Sequence, residues 1–166
     1  GSMPFALAPI TESFFDDAPT RYVIDVTVPA APDHVWSEFA RQNTLDWCRA
    51  LTRVTYTSPE PHGAMTTRTA VLLGGVTVHE QFFIWDEDPA AHRYRHAFYG
   101  RDATVPGLKH FGEYTAVTPA DGGGTRIVWK FALQMGGVAL PAPISSRVAA
   151  LAFGSVKRDT VRHFGG

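Results

Sequence analysis

Three ionisable side chains lie on the more apolar faces of strand-like stretches of the sequence. They are Glu80 in the alternating run 76–85, His96 in the run 94–99 and Glu113 in the run 109–117. Alternate side chains of a strand share a face, so each of the three is expected on the inward, apolar face. An imidazole beside a carboxylate can give or take a proton near neutral pH. The pattern predicts an acid/base site made of His96, Glu80 and Glu113.

The register of the strands decides how close these groups come. Counting back from the turn at Asp88-Pro89, either Glu80 faces His96 directly, or Phe82 is opposite His96 and Glu80 is its diagonal neighbour. If the run 109–117 pairs with the strand of His96, Glu113 lies on its other side. In the alternative interpretation, His96 hydrogen-bonds a backbone carbonyl and the two glutamates reach water at the mouth of a cavity.

The same alternation divides the aromatic residues of the central hairpin between two faces. The inward set of the first strand is Val76, Val78, Glu80, Phe82 and Ile84. The opposite face carries Phe83 and Trp85, joined by Tyr99 from the returning strand. Such an aromatic outer face is expected to bind a partner, to form a homodimer or to be covered by residues 4–19.

The apolar periods predict seven strands joined mainly by hairpins. Besides the two strands within 76–100, strands are expected at 22–28, 53–58, 65–73, 109–117 and 125–134. Gly74-Gly75 separates two of them by only two residues, which is typical of a hairpin turn. Hairpin connections imply an antiparallel sheet, and its apolar face needs a cover.

Helical periods precede and follow these strands. The first short helix starts near Pro32, and Thr44 is expected to cap a second one, which carries Leu45, Trp47, Cys48 and Leu51. A long helix is predicted from Ile144 to about His163, with one face made of Val148, Leu151, Ala152, Ser155 and Val156. Its many small residues fill little volume, so we expect a cavity between this helix and the sheet.

Composition excludes several classes of protein. The net charge is -1 with no charge run, which argues against nucleic acid or an anionic membrane as the main partner. The single cysteine, Cys48, leaves no internal disulfide, and the absence of a secretory signal predicts a cytoplasmic protein. No membrane span, no cofactor motif and no histidine spacing for a metal is expected.

Four segments of the sequence resemble the START-like superfamily, also called SRPBCC, which includes polyketide cyclases and dehydrases, pollen-allergen-like proteins and lipid-transfer domains. The segments are YVIDVTVPAAPDHVWSEFA, LDW, GGVTVHEQFFIWDEDPAAHRYRH and GGTRIVWKFAL. The resemblance implies an α+β helix-grip fold, in which a curved seven-stranded antiparallel sheet wraps around the long C-terminal helix, with two short helices after the first strand. It also implies a protein that binds a hydrophobic ligand. The excess of arginine over lysine, twelve to three, with abundant alanine and glycine, is typical of a GC-rich bacterial genome.

The chain is expected to divide into a tag remnant and N-terminal arm, 1–19, and a single START-like domain, 20–166. The predicted ligand-binding residues are Trp47, Arg68, Phe82, Tyr94, Phe98, Phe111, Trp129, Phe131 and Ala152. One hypothesis is an enzyme resembling polyketide cyclases and dehydrases, with His96 as general acid/base on a hydrophobic carbonyl compound. The alternatives are a non-catalytic carrier or sensor of a hydrophobic small molecule and a protein-interaction module.

Overall fold

The computed structural model describes residues 3–137 and 141–165, except for the side chains of residues 142, 145 and 148. The strands are β1 (Phe5–Ala6), β2 (Thr20–Val28), β3 (Leu51–Tyr56), β4 (Thr67–Leu72), β5 (Thr77–Asp88), β6 (Arg93–Ala103), β7 (Leu108–Pro119) and β8 (Thr125–Met135). The helices are α1 (Phe14–Asp17), α2 (Pro32–Ala40) and α3 (Ala142–His163), with a 3₁₀ turn at Pro89–Ala91. The seven predicted strands correspond to β2 to β8.

The strands form one antiparallel sheet in the order β2-β8-β7-β6-β5-β4-β3, and the short β1 pairs with β6. Consecutive hairpins build most of this order, and β2 closes the sheet by pairing with β8. Gly74 and Gly75 both have positive φ, 95° and 92°, as the tight β4–β5 turn requires. The predicted helix-grip architecture is confirmed: a curled sheet with α3 at its concave face.

Helix α2 starts with a proline in its first turn, and its Val35, Trp36 and Phe39 are buried against the sheet. Residues 42–47 then form consecutive turns in place of the predicted second helix. The hydroxyl of Thr44 donates to the carbonyl of Glu38, 2.7 Å away, instead of capping a new helix. Residues 43 and 45 have positive φ, which breaks any helical run.

Two bulges in the β5–β6 pair make the predicted register wrong. The ladder is irregular between His79 and Glu80 and between Phe82 and Ile84. As a result Glu80 lies opposite Gly100, and His96 lies opposite Trp85.

The second bulge also reverses the faces of β5, because one extra residue shifts the alternation by one position. Phe83 and Ile84 both pack on the outer face, while Trp85 points inward against Trp36 and His96. The inward assignment of Ile84 and the outward assignment of Trp85 were therefore wrong.

Helix α3 is held at its C-terminal half by polar contacts with the segment before β3. Asp159 accepts hydrogen bonds from the backbone N–H and the guanidinium of Arg49, at 3.0 and 3.1 Å. The indole of Trp47 donates to the hydroxyl of Thr160, 3.0 Å away. These contacts fix the helix at one end of the sheet.

The buried face of α3 agrees only in part with the predicted one. Ala149, Val156 and Thr160 are buried, whereas Leu151 is 87% exposed. The prediction for Val148 lies outside the described side chains. The helix thus turns small and medium side chains toward the sheet and leaves a large apolar one in solvent.

The N-terminal arm covers part of the outer sheet face. Phe15 and Ala18 are buried there against Ala97 and Phe83, and the rings of Phe15 and Phe83 lie 6.4 Å apart. Gly112 permits this close approach, since a Cβ at that position would lie 2.3 Å from the Ile10 side chain. For this face we expected a partner, a homodimer or a cover made by residues 4–19. The structure shows the cover.

Candidate functional site

A cavity of about 240 Å³ lies between the sheet and α3. Its apolar wall is formed by Leu45, Ala50, Leu51, Val54, Ala70, Leu72, Val76, Val78, Val105, Leu108, Phe111, Trp129, Phe131, Leu133, Ala152, Phe153 and Val156. Three polar side chains complete it, Arg68, Glu80 and Glu113. The short side chains of the three alanines, which come from three separate segments, leave space that larger residues would fill. The cavity therefore has an almost wholly apolar wall with one polar region.

Arg68 and Glu80 form a buried ion pair in that polar region. They lie opposite each other on β4 and β5, and Arg68 Nε donates to Glu80 Oε1 at 2.7 Å. Both residues are at most 3% exposed. Burial raises the pKa of Glu80, and the positive charge of Arg68 opposes that rise. The arginine thereby neutralises one carboxylate of the cavity.

Aromatic rings behind Arg68 separate the cavity from the rest of the core. The guanidinium carbon lies 5.4, 5.1 and 4.8 Å from the ring centres of Tyr56, Phe82 and Phe98, respectively. We call these three residues the aromatic partition. Such contacts stabilise a cation where water is excluded. Phe82 and Phe98, which were predicted to bind ligand, instead support the arginine from behind.

Glu113 supplies the second carboxyl group of the cavity. It lies on β7 between Phe98 and Phe131 of the neighbouring strands, and Trp129 Nε1 donates to its Oε1 at 2.8 Å. Burial, followed by the nearby charge of Glu80, raises the pKa of Glu113 to about 8. At neutral pH this carboxyl is protonated, so it can donate a hydrogen bond.

His96 lies on the other side of the aromatic partition. It is 2% exposed, and its ring centre is 4.8, 4.9 and 5.0 Å from those of Trp36, Trp85 and Phe82. Neither ring nitrogen has a hydrogen-bond partner among the described residues. Burial, reinforced by the charge of Arg68, lowers the pKa of His96 to about 3. The imidazole is therefore neutral at physiological pH.

The structure thus brings together only two members of the predicted acid/base site. Glu80 and Glu113 line the cavity, but His96 is not among its lining residues. The bulges cause this difference, since they place His96 opposite Trp85 instead of Glu80. The alternative, a hydrogen bond from His96 to a backbone carbonyl, is not seen either, because both nitrogens lack partners among the described residues.

The other predicted ligand-binding residues fall into two groups. The cavity is lined by Arg68, Phe111, Trp129, Phe131 and Ala152. Tyr94 instead donates from its hydroxyl to Asp33, 2.7 Å away, and Trp47 stacks on His163 with ring centres 4.2 Å apart. Both therefore have structural roles outside the cavity.

Sequence reasoning missed much of the aliphatic wall. Val54, Ala70, Leu72, Leu108 and Leu133 line the cavity without having been predicted to bind ligand. Val54, Ala70, Leu72 and Leu133 lie within predicted strands, whereas Leu108 lies just before the predicted strand 109–117. Apolar side chains of this kind do not stand out from ordinary core residues.

The described part of the chain holds no group of three or more His, Cys, Asp or Glu placed to bind a metal ion. Among the described helices, none is long and apolar enough to cross a membrane.

Comparisons with known proteins identify the family of the chain. A family described as "Polyketide cyclase / dehydrase and lipid transport" matches residues 19–164. The chain belongs to this family. Uncharacterized proteins of Mycobacterium tuberculosis and Mycobacterium bovis are each 32% identical to it over 131 residues, which is 78% of this chain and 75% of each relative.

Solved structures of other proteins share the fold. A START superfamily protein from Mycobacterium smegmatis has a TM-score of 0.67 at 9% identity, covering 87% of this chain and 97% of its own. The Zhui aromatase/cyclase from Streptomyces sp. R1128 has a TM-score of 0.61 at 17% identity, covering 86% and 92%. The resemblance of this polyketide cyclase/dehydrase family member to START-like proteins is thereby confirmed.

Proposed function

We propose that this family member binds a small, mostly apolar molecule that carries one oxygen acceptor, such as a carbonyl, at its polar end. The observation behind the proposal is a cavity whose apolar wall meets Arg68, Glu80 and Glu113 at one place. Its volume of about 240 Å³ is slightly below the range of about 300–1,000 Å³ that is common for drug-sized ligands. A ligand about the size of two fused aromatic rings is expected.

Glu113 is proposed to recognise the oxygen of the ligand. One Glu113 oxygen accepts from Trp129, and the protonated carboxyl can donate toward the cavity. Glu80 is already paired with Arg68, so it offers no comparable donor. A neutral acceptor suits this set of groups, because Arg68 and Glu80 cancel each other and Glu113 carries a proton.

A second candidate function is dehydration or cyclisation of the bound molecule. Its support is the protonated Glu113 beside Glu80, which is paired with Arg68, in one mostly apolar cavity. In a dehydration, Glu80 would take a proton from carbon while Glu113 protonated the leaving hydroxyl, so that a C=C bond forms and water departs. Without such chemistry, the same site would serve a carrier or sensor.

Binding of two naphthalene derivatives tests the main proposal. 2-Acetylnaphthalene carries a carbonyl acceptor and 2-ethylnaphthalene has nearly the same shape without it, so quenching of tryptophan fluorescence can compare their affinities. We expect the acetyl compound to bind about tenfold more tightly, the value of one net hydrogen bond. Glu113→Leu should abolish this preference, and Glu113→Gln should retain part of it because an amide can donate.

Filling the cavity provides the control. Ala70→Phe places a ring in the cavity and should prevent binding of both compounds, whereas Val23→Phe at an exposed position of β2 should not. Equal affinity of wild type for the two compounds would contradict recognition through Glu113. Undiminished binding by Ala70→Phe would contradict the cavity as the site.

A further inference from the structure

Exposed apolar side chains gather around one end of the sheet. They are Leu73, Val105, Met135, Ile144 and Leu151, which we call the mouth rim. Strand pairing places the first three at the same end, because the β4–β5 turn, the β6–β7 loop and the end of β8 are adjacent in the register. The other two lie on helix α3, which follows β8 in sequence, and Leu151 is next to Ala152 of the cavity wall.

The cavity reaches the surface at this same end. Val105 and Ala152 line the cavity and are also exposed to solvent. Leu72 and Leu108, which lie next to the turn and the loop of the mouth rim, belong to the cavity wall. The mouth rim therefore borders the opening through which a ligand would pass.

Positive charge predominates at this end. The segments 71–78, 103–112 and 134–158 contain no aspartate or glutamate, and the nearby Asp46 and Asp102 are each paired with a basic side chain. They carry four exposed cations, Lys109, Arg147, Lys157 and Arg158. The net charge of the whole chain is only -1, so it does not reveal this local excess of positive charge. The argument from net charge against an anionic membrane therefore does not apply to this surface.

An anionic lipid surface fits these features better than a protein partner. The apolar side chains project separately from a turn, a loop and a helix, and can each enter the boundary between head groups and acyl chains. The surrounding lysine and arginine side chains would contact acidic head groups. A hydrophobic molecule dissolved in the bilayer would then meet the cavity without crossing water.

We propose that the mouth rim docks this protein on anionic lipid bilayers, with the opening of the cavity against the membrane. The route for a ligand rests on the proposed function, whereas docking itself needs no ligand. The two can therefore fail separately, and each has its own measurement.

Co-sedimentation with vesicles tests the docking. The full chain is expected to bind vesicles of phosphatidylcholine with phosphatidylglycerol, to bind phosphatidylcholine vesicles much more weakly, and to be released by salt. Leu73→Ser and Leu151→Ser should each weaken binding by about tenfold. Neither side chain lines the cavity, so binding of 2-acetylnaphthalene in solution should stay unchanged.

Met65→Ser is the matched control, since Met65 and Leu73 are both 74% exposed but Met65 lies in the β3–β4 connection, at the other end of the sheet. It should leave vesicle binding unchanged. No vesicle binding, equal binding to both kinds of vesicle, or an equal loss in Met65→Ser would each overturn the proposal. Concentration-dependent dimerisation that Leu151→Ser abolishes, without vesicle binding, would assign the mouth rim to a second copy and overturn it as well.

Discussion

The space enclosed by the sheet and its helices has two halves, which differ in whether their buried acid/base groups have polar partners. One half is the cavity with Arg68, Glu80 and Glu113. The other, which we call the packed half, is filled by Trp36, Phe39, Trp85, Tyr94 and His96 beneath helix α2. In the cavity half, each ionisable group has a polar partner. In the packed half, His96 has none among the described residues and is kept neutral by burial.

This contrast distinguishes Glu113, which can contact a ligand in the cavity, from His96, whose residue type suits acid/base chemistry but which has no access to the cavity. A histidine near carboxylates is an attractive general base in sequence, but a packed aromatic environment removes its charge and its access. The two glutamates hold perturbed pKa values beside open space, which is the arrangement expected of a working site. Access to the cavity, more than residue type, distinguishes the two halves.

The largest expected effect comes from removing the cation of the cavity half. Arg68→Met leaves Glu80 buried without its partner and should lower the free energy of unfolding by about 3–5 kcal/mol. Urea denaturation measures it. The double variant Arg68→Met/Glu80→Leu should recover most of the loss, since an apolar pair can replace a buried ion pair. A loss below about 1 kcal/mol in the single variant would mean that the pair is solvated.

Truncation of an apolar side chain should cost more in the packed half than in the cavity half. Phe39 is 1% exposed among rings on several sides, so Phe39→Ala should lower the free energy of unfolding by about 3–5 kcal/mol. Leu133 already borders open space, and Leu133→Ala should cost about 2 kcal/mol or less. Both values come from the same denaturation experiment. Equal costs would indicate that the cavity half is as tightly packed.

A smaller effect, of opposite sign in the two halves, is expected from pH. His96 has its pKa lowered from 6.5 to about 3, so below pH 6.5 the unfolded chain binds a proton that the folded protein does not. This group alone should lower the free energy of unfolding by about 2 kcal/mol between pH 7 and pH 5. His96→Phe should remove that slope while keeping the fold.

Glu113 should act in the other direction. Its pKa is raised from 4.5 to about 8, so within this window the folded protein holds a proton that the unfolded chain has released. The free energy of unfolding should therefore fall as the pH rises through the window, and Glu113→Gln should abolish this part of the dependence. Denaturation curves at several pH values check both variants. Slopes unaltered by either substitution would place neither group in a low-dielectric site.

Much of the fold follows from alternation and turn chemistry. Runs such as 125–134, with Ile127, Trp129 and Phe131 on one face, identify a strand and its buried side without further information. The same reasoning placed Glu80 and Glu113 on the concave face, and both line the cavity. Local pattern is sufficient wherever a strand keeps a regular pleat.

Departures from regular geometry account for what could not be predicted. A bulge adds a residue without a marker in the sequence, and it moved His96 away from Glu80. On α3, hydrophobicity favoured Leu151 as buried, although the sheet admits the smaller Ala149 and leaves Leu151 outside. Register and packing depth depend on contacts between distant segments, which a single sequence does not show.

The bulge between Phe82 and Ile84 also bears on how this protein can evolve. Residues of β5 before it, such as Val78, border the cavity, and Trp85 after it fills the packed half. Substitutions of β5 before the bulge are therefore expected to alter the cavity, and substitutions after it are expected to alter the packed half. One inserted residue allows a single strand to line two different environments.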